Sequence, residues 1–181
     1  MPDLAEERIS TEELLDGVLL NVHRDTVRLP DDSDAVREWI DHPGAAAVIP
    51  IFDDGTTIVI EQHRYAAGKT FLEIPAGKLD HASEDPEDVA ARELEEETGW
   101  RAGQFTRLGA LHPAIGYSNE LIHYFLAEDL ERGEQNLEEG EFVEVREMPF
   151  ADVIERAHAD KVQDMKSFSG LMMAERHLTD R

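Results

Sequence analysis

Glu93, Glu96 and Glu97 stand at i, i+3 and i+4 of a segment that reads as a helix, so their carboxylates project together on one face. Such a face is costly by itself. Like charges one turn apart repel by about a few tenths of a kcal/mol. Acids in the last turn also meet the negative end of the helix dipole, at about 0.3–1 kcal/mol each. A hard divalent cation with oxygen ligands reverses both penalties, and Mg²⁺ ordinarily takes one or two carboxylates, several waters and substrate phosphates. Arg92 is placed to pair with Glu96 one turn on. The plain alternative is a solvated acidic face, a real competitor in a chain with 41 Asp and Glu.

A helix over Pro86 to Thr98 must carry these groups. Asp85 suits the N-cap, Pro86 the first helical position and Gly99 the stop. Ala90, Ala91 and Leu94 form the apolar stripe expected to pack on a sheet. Upstream, residues 1–15 read as a frayed or weakly helical start, and residues 17–29 partly alternate as a half-buried strand would. Pro30–Asp34 is a turn and 35–41 a short strand. Ala45 to Phe52 is an apolar run expected as a strand buried on both faces, although Pro50 cannot donate to a ladder. The Asp54-Gly55 turn predicts Thr56 to Gln62 as its hairpin partner. Phe71–Pro75 reads as a strand ending at Ala76-Gly77, with further strands near 105–111, 120–127 and around Glu144, and helices over 150–160 and 164–178. The layout is α/β (α+β), with residues 1–43 as a small β appendage and 44–181 as the main domain.

Composition narrows the function classes. A net charge of −24 repels nucleic acid and anionic membranes, so neither is an expected partner. It also repels a phosphate substrate unless cations intervene. Only four of the 17 basic residues are Lys, which fits either salt adaptation or simple solubility. The chain has no Cys, which excludes disulfides, thiol catalysis and zinc–thiolate sites and is compatible with a cytoplasmic location. The acidic start, Met1 to Glu7, does not read as a secretory signal, and no apolar run is long enough to span a membrane.

The stretch from Gly77 to Trp100 resembles the Nudix box: Gly, a short loop, Glu, seven residues, Arg-Glu, an aliphatic, any residue, Glu-Glu, any residue, Gly and a hydrophobic. Gly77, Glu84, Arg92, Glu93, Leu94, Glu96, Glu97, Gly99 and Trp100 fill it. One departure is a six-residue spacer, Lys78 to Ser83, where the family pattern has five. The resemblance implies a Nudix fold, a mixed β-sheet between helices with the box as loop–helix–loop. It further implies Glu93 and Glu97 as main metal ligands, Glu96 as a further ligand or the holder of a bridging metal or water, the Ala76 carbonyl as another ligand, and Arg92 orienting the glutamates with Glu84. The cofactor implied is Mg²⁺, with Mn²⁺ as substitute.

Beyond the box, over roughly residues 15–178, the chain is similar to the ADP-ribose pyrophosphatase branch. Val36-Arg37-Glu38, His42-Pro43-Gly44-Ala45, Glu61-Gln62-His63-Arg64-Tyr65 and Leu72 to Lys78 carry this likeness. It implies a homodimer that exchanges its N-terminal strands, with Arg37, Glu38 and Arg64 contacting the nucleotide. Pro113 to Glu120 matches a substrate loop at Gly116 and Glu120, while Ala114 and Ile115 replace the usual Ser-Pro. In the acidic loop Asn136 to Glu141, the branch pattern implies Glu139 as the base and Glu141 as a metal ligand, with Glu138 competing for the first role. The expected reaction is Mg²⁺-dependent hydrolysis of the diphosphate of ADP-ribose or a related nucleotide sugar. The alternatives are a dinucleoside polyphosphate or damaged nucleotide as substrate, and a Nudix-fold binding module without turnover.

Overall fold

The computed structural model describes residues 4–137 and 139–181, and they divide into two compact units. The first holds the residues up to Pro43 together with Ala114–Glu120; the second holds Gly44–Pro113 and Leu121–Arg181.

The first unit is an antiparallel sheet of β1 (Glu7–Asp16), β2 (Asn21–Arg28) and β3 (Asp34–Asp41), with β2 in the centre. The expected frayed start is therefore corrected: most of it is a strand. Its Glu- and Leu-rich sequence carries no alternating pattern, and its conformation comes from pairing with β2, with register shifts between Arg8 and Ser10 and between Glu13 and Leu15. Residues 17–20 form the reversal between the two strands, so β2 starts later than the alternation suggested. Asp25 is buried and accepts a hydrogen bond from Trp39 Nε1 at 3.0 Å. The segment 114–120 joins this unit through Ile40 N to Tyr117 O at 2.8 Å and His42 N to Asn119 Oδ1 at 2.8 Å.

The second unit is built on a mixed sheet in the order β7 (Ala76–Lys78), β4 (Ala45–Pro50), β9 (Ile122–Arg132), β8 (Trp100–Leu111). β4 and β9 run parallel and all six residues of β4 are buried, as an apolar run in a central strand requires. Its side chains alternate between two cores. Ala45, Ala47 and Ile49 join Tyr124, Leu126, Val153 and Leu171 on one face; Ala46 and Val48 join Phe125, Ala127, Val89 and Leu94 on the other. The first core is closed by α2 (Phe150–His158) and α3 (Met165–Thr179), the second by α1 (Pro86–Thr98). The sheet thus lies between helices, as expected.

Pro50 is tolerated for a simple reason. Ile51 N–H donates to Ala127 on the β9 side and Val48 N–H to Pro75 on the other. By alternation the missing N–H of Pro50 faces the β7 side, where pairing has ended at Ala47.

Two strand expectations need correction. β5 (Thr56–Arg64) is not the hairpin partner of β4; they share one bridge, Ile51 to Thr57. β5 instead centres a second antiparallel sheet, between β10 (Val143–Pro149) and β6 (Lys69–Glu73). The turn at Asp54-Gly55 sets the reversal, but burial of Ile58, Val59 and Ile60 selects the sheet. The strand placed at 71–75 is β6, shifted upstream, and Ala76–Lys78 forms a separate strand against β4. In α1 the buried stripe uses Val89 where Ala91 was expected.

Candidate active site

The helix α1 begins and ends where its caps dictate. Asp85 accepts from the Glu87 N–H at 3.0 Å, and Gly99, at φ 73°, donates to Glu95 O. Val89, Ala90 and Leu94 face the core, which leaves Arg92, Glu93 and Glu96 partly exposed along the neighbouring face. Glu97 lies at the border and is 2% exposed.

Arg92 organises the partly exposed acids. Its Nη1 donates to Glu93 Oε1 at 2.9 Å and reaches Glu96 Oε2 at 3.5 Å, while Nη2 approaches Glu84 Oε1 to 3.8 Å. Burial works to lower the Arg92 pKa, but Glu93, Glu96, Glu84 and Asp80 hold it above its ordinary value. The extra residue in the 78–83 spacer is absorbed in the turn before the helix. There Glu84 N–H donates to His81 O, and Glu84 Oε2 accepts from Asp80 N–H at 2.7 Å. Glu84 still faces Arg92.

Glu93 lies against Gly77. A Cβ on Gly77 would fall 2.0 Å from the Glu93 carboxyl, so only glycine leaves that carboxylate its place. Glu97 Oε2 accepts the Ala76 N–H at 2.9 Å. Burial pushes the Glu97 carboxyl up to about 8; Lys166 and the Ala76 N–H oppose this, while Glu93 and Glu141 add to it. Glu93, Glu97, Glu141 and Ala76 therefore belong to one electrostatic neighbourhood.

The acidic loop is tied to the end of α1. Gln135 Nε2 donates to Glu97 O at 2.7 Å and Asn136 N–H to Glu96 O at 3.0 Å. Gln62 Nε2 reaches Glu141 Oε1 at 3.5 Å. Glu139 lies exposed in the following turn, and Glu138 falls outside the described residues.

The other expected site residues lie as follows. Arg64 Nε and Nη2 donate to Glu73 at 2.8 and 2.7 Å. In the N-terminal unit Arg37 pairs with Glu6, and Glu38 accepts from Arg24 Nε at 3.0 Å. In the 114–120 segment Gly116 is exposed, and Glu120 N–H donates to Ser118 Oγ at 3.1 Å. Sequence reasoning passed over Glu73, Lys166 and Gln135. Glu73 had a signal: an acid inside the apolar run Phe71 to Ile74 needs a buried partner.

Residues 41–169 match the NUDIX domain. The chain belongs to the Nudix family. It is 39% identical over 169 residues to an ADP-ribose pyrophosphatase of Bacillus subtilis (strain 168), covering 92% of this chain and 91% of that protein. It is 36% identical over 164 residues to a methanol dehydrogenase activator of Bacillus methanolicus, covering 90% and 88%. The crystal structure of an ADP compounds hydrolase matches the fold with a TM-score of 0.85 at 21% identity, over 98% of this chain and 97% of that one. Gly77 to Trp100 is thus the Nudix box of a Nudix pyrophosphohydrolase.

Nudix hydrolases work with divalent metal ions, and the residues of this box fit such an ion. Every donor is a hard oxygen, and the buried Glu97 carboxylate is opposed by two further acids. Among the described residues no three His, Asp or Glu side chains gather around one point that could hold an ion. Mg²⁺ held through one or two carboxylates, water and substrate phosphate requires no such ring.

Proposed function

We propose that this Nudix hydrolase cleaves the diphosphate linkage of ADP-ribose or a related nucleoside diphosphate sugar with Mg²⁺, Mn²⁺ serving as substitute. The observation that carries the reading is the buried Glu97, held by the Ala76 amide in the field of Glu93 and Glu141, with Glu93 paired to Arg92. The 39% identity to the ADP-ribose pyrophosphatase of Bacillus subtilis supports the substrate class.

Water attacks one phosphorus in line, the bridging P–O bond breaks, and ADP-ribose gives AMP and ribose 5-phosphate. A divalent ion would be held through the Ala76 carbonyl and one or two at a time of the ligand set Glu93, Glu97 and Glu141, with water completing its shell, and would supply charge neutralisation and Lewis-acid activation. Glu139 takes the proton from the attacking water. Arg92 keeps Glu93 and Glu96 in place, and Glu96 is a further ligand or water holder. Arg64, Gly116 and Glu120 contact the substrate. With Ala114-Ile115 in place of Ser-Pro, this loop lacks the serine hydroxyl as a substrate contact, and a second reading is another nucleotide, such as a dinucleoside polyphosphate.

The active form is a cytoplasmic homodimer in which the appendage, residues 1–43, reaches the second subunit and brings Arg37 and Glu38 to its nucleotide. The support is apolar surface. Every residue of β1 is exposed, and Ile9, Leu15, Val18 and Leu19 show 48–108% of their surface.

The test is a hydrolysis panel of ADP-ribose, GDP-mannose, UDP-glucose, a dinucleoside polyphosphate and an oxidised nucleotide, each with Mg²⁺ and with Mn²⁺. Preference for ADP-ribose or another nucleotide sugar is expected. Turnover of the dinucleoside polyphosphate alone would overturn the substrate class, and no turnover of any compound would favour a binding module.

A further inference from the structure

The first turn of α3 grips the connection between β6 and β7. Asp164, the N-cap, accepts from Ser167 N–H at 3.0 Å and from Ser167 Oγ–H at 2.6 Å. With its proton committed to Asp164, Ser167 Oγ accepts the Ile74 N–H at 2.9 Å. Lys166 Nζ donates to Ile74 O at 3.0 Å and lies 3.2 Å from Glu73 Oε2 and 3.3 Å from Asp164 Oδ2. An ammonium has three N–H donors, and three acceptors stand around this one. Both backbone groups of Ile74 are thus taken by α3. Next along the chain, Pro75 O accepts from Val48 N–H and Ala76 N–H reaches Glu97. Ser167 is fully buried and Glu73 is 2% exposed, while the side chains of Lys166 and Asp164 are mostly but not wholly covered.

We propose that Lys166 and Ser167 are positioning residues for the metal site: they clamp Glu73–Ile74 to α3 and thereby fix Ala76, whose amide holds Glu97 and whose carbonyl is assigned as a metal ligand. The inference rests on the metal-dependent reading above. The role assigned to both is to hold the backbone, not to bind substrate or ion. Lysine suits the place because its ammonium is compact, with donors that turn toward three converging acceptors, whereas a guanidinium is larger and confines its donors to one plane.

The test uses the full-length protein and Mn²⁺ as probe, with free Mn²⁺ followed by electron paramagnetic resonance well below the melting temperature. Lys166→Met keeps the unbranched stem, one atom shorter, and removes its charge and donors. The Mn²⁺ dissociation constant is expected to rise about 10- to 100-fold, the range for residues that hold metal ligands. On the active substrate kcat should fall with little change in KM. In the metal-free protein the Ala76 amide should exchange its hydrogen faster. A role confined to stability would lower the melting temperature and leave the Mn²⁺ affinity and the Ala76 exchange as in the wild type, and that result overturns the proposal. Should Lys166→Met fail to fold, Ser167→Ala removes the acceptor of the Ile74 N–H together with the hydroxyl donor to Asp164 and leaves Lys166 in place; weakened Mn²⁺ binding supports the clamp and unchanged binding refutes it. A wild-type protein that binds Mn²⁺ but hydrolyses none of the panel would defeat the substrate reading, while the ratio of wild-type to variant affinity would still decide for or against the clamp.

Discussion

Glu97 concentrates the electrostatics of the site in one carboxyl. With its pKa pushed up to about 8 by burial, it is largely protonated at neutral pH in the metal-free fold. An unfolded glutamate titrates near 4.3. Because the folded value is the higher one, this group favours the fold most below the unfolded value, and that contribution declines as pH rises toward 8. Metal-free melts at pH 5 and pH 8 should therefore show a larger loss for the wild type than for Glu97→Gln, which cannot ionise. Equal losses would mean that Glu97 is not the group responsible. The same substitution should abolish turnover and leave the fold intact, because it removes a metal-binding charge and no core contact. Circular dichroism beside the hydrolysis assay checks both, and full activity of the pure variant would remove Glu97 from the metal site. Arg64 illustrates a different lesson at this scale. Its guanidinium pairs with the buried Glu73, so its loss would leave Glu73 with Lys166 as its remaining close cation.

At the scale of elements, three segments converge on the box: the end of α1, the β6–β7 connection and the start of α3. The cap of α3 contributes to stability as well as position. Asp164 accepts from Lys166 N–H at 3.3 Å and Ser167 N–H at 3.0 Å. Its pKa is lowered overall: burial works upward, but Lys166 and the Ser167 hydrogen bonds outweigh it. A depressed carboxylate adds stability above its unfolded value of about 3.9 that is lost as pH falls through the folded value. Asp164→Ala should cost about 0.5–2 kcal/mol at pH 7, the range for loss of an N-cap. The gap between wild type and variant should narrow as pH falls below about 4, toward the lowered folded value. Thermal melts of both proteins across pH 3–7 test this; a gap as large at pH 3 as at pH 7 would mean that the charge of Asp164 is not what matters.

At the scale of the molecule, charge and exposed apolar surface each have a consequence. With a net charge of −24, exposed acids repel one another, and salt screens that repulsion as the Debye length falls from about 10 Å at 0.1 M to about 3 Å at 1 M. The melting temperature should rise or hold when KCl is raised over that range; a fall would show that self-repulsion is not limiting. The exposed apolar side chains of β1 and of residues 17–20 should be covered by a second copy. Light scattering should then report twice the chain mass, and Leu15→Asp with Leu19→Asp should yield monomers with weakened affinity for ADP-ribose. A fully active monomer at micromolar wild-type protein would show that no exchange of strands is needed.

Local chemistry in the sequence determined the box helix. Asp85, Pro86 and Gly99 set its ends, and the 3-4 spacing of Glu93, Glu96 and Glu97 set their common face, because helix geometry needs no information from distant residues. The unbroken apolar run from Ala45 to Phe52 also marked β4 as a buried strand, and the family pattern of nine positions led to the reaction class. The partners of β5, the strand nature of β1, the use of Val89 over Ala91 and the burial of Glu97 were decided only by tertiary structure. Strand pairing and depth depend on which surfaces meet, and those surfaces come from residues far apart in the chain. The same holds for the grip of Lys166 on Glu73 and Ile74, more than ninety residues away by the spacing of Ile74 and Lys166. No local window contains both ends of that contact, so its chemistry becomes visible only when the chain is folded.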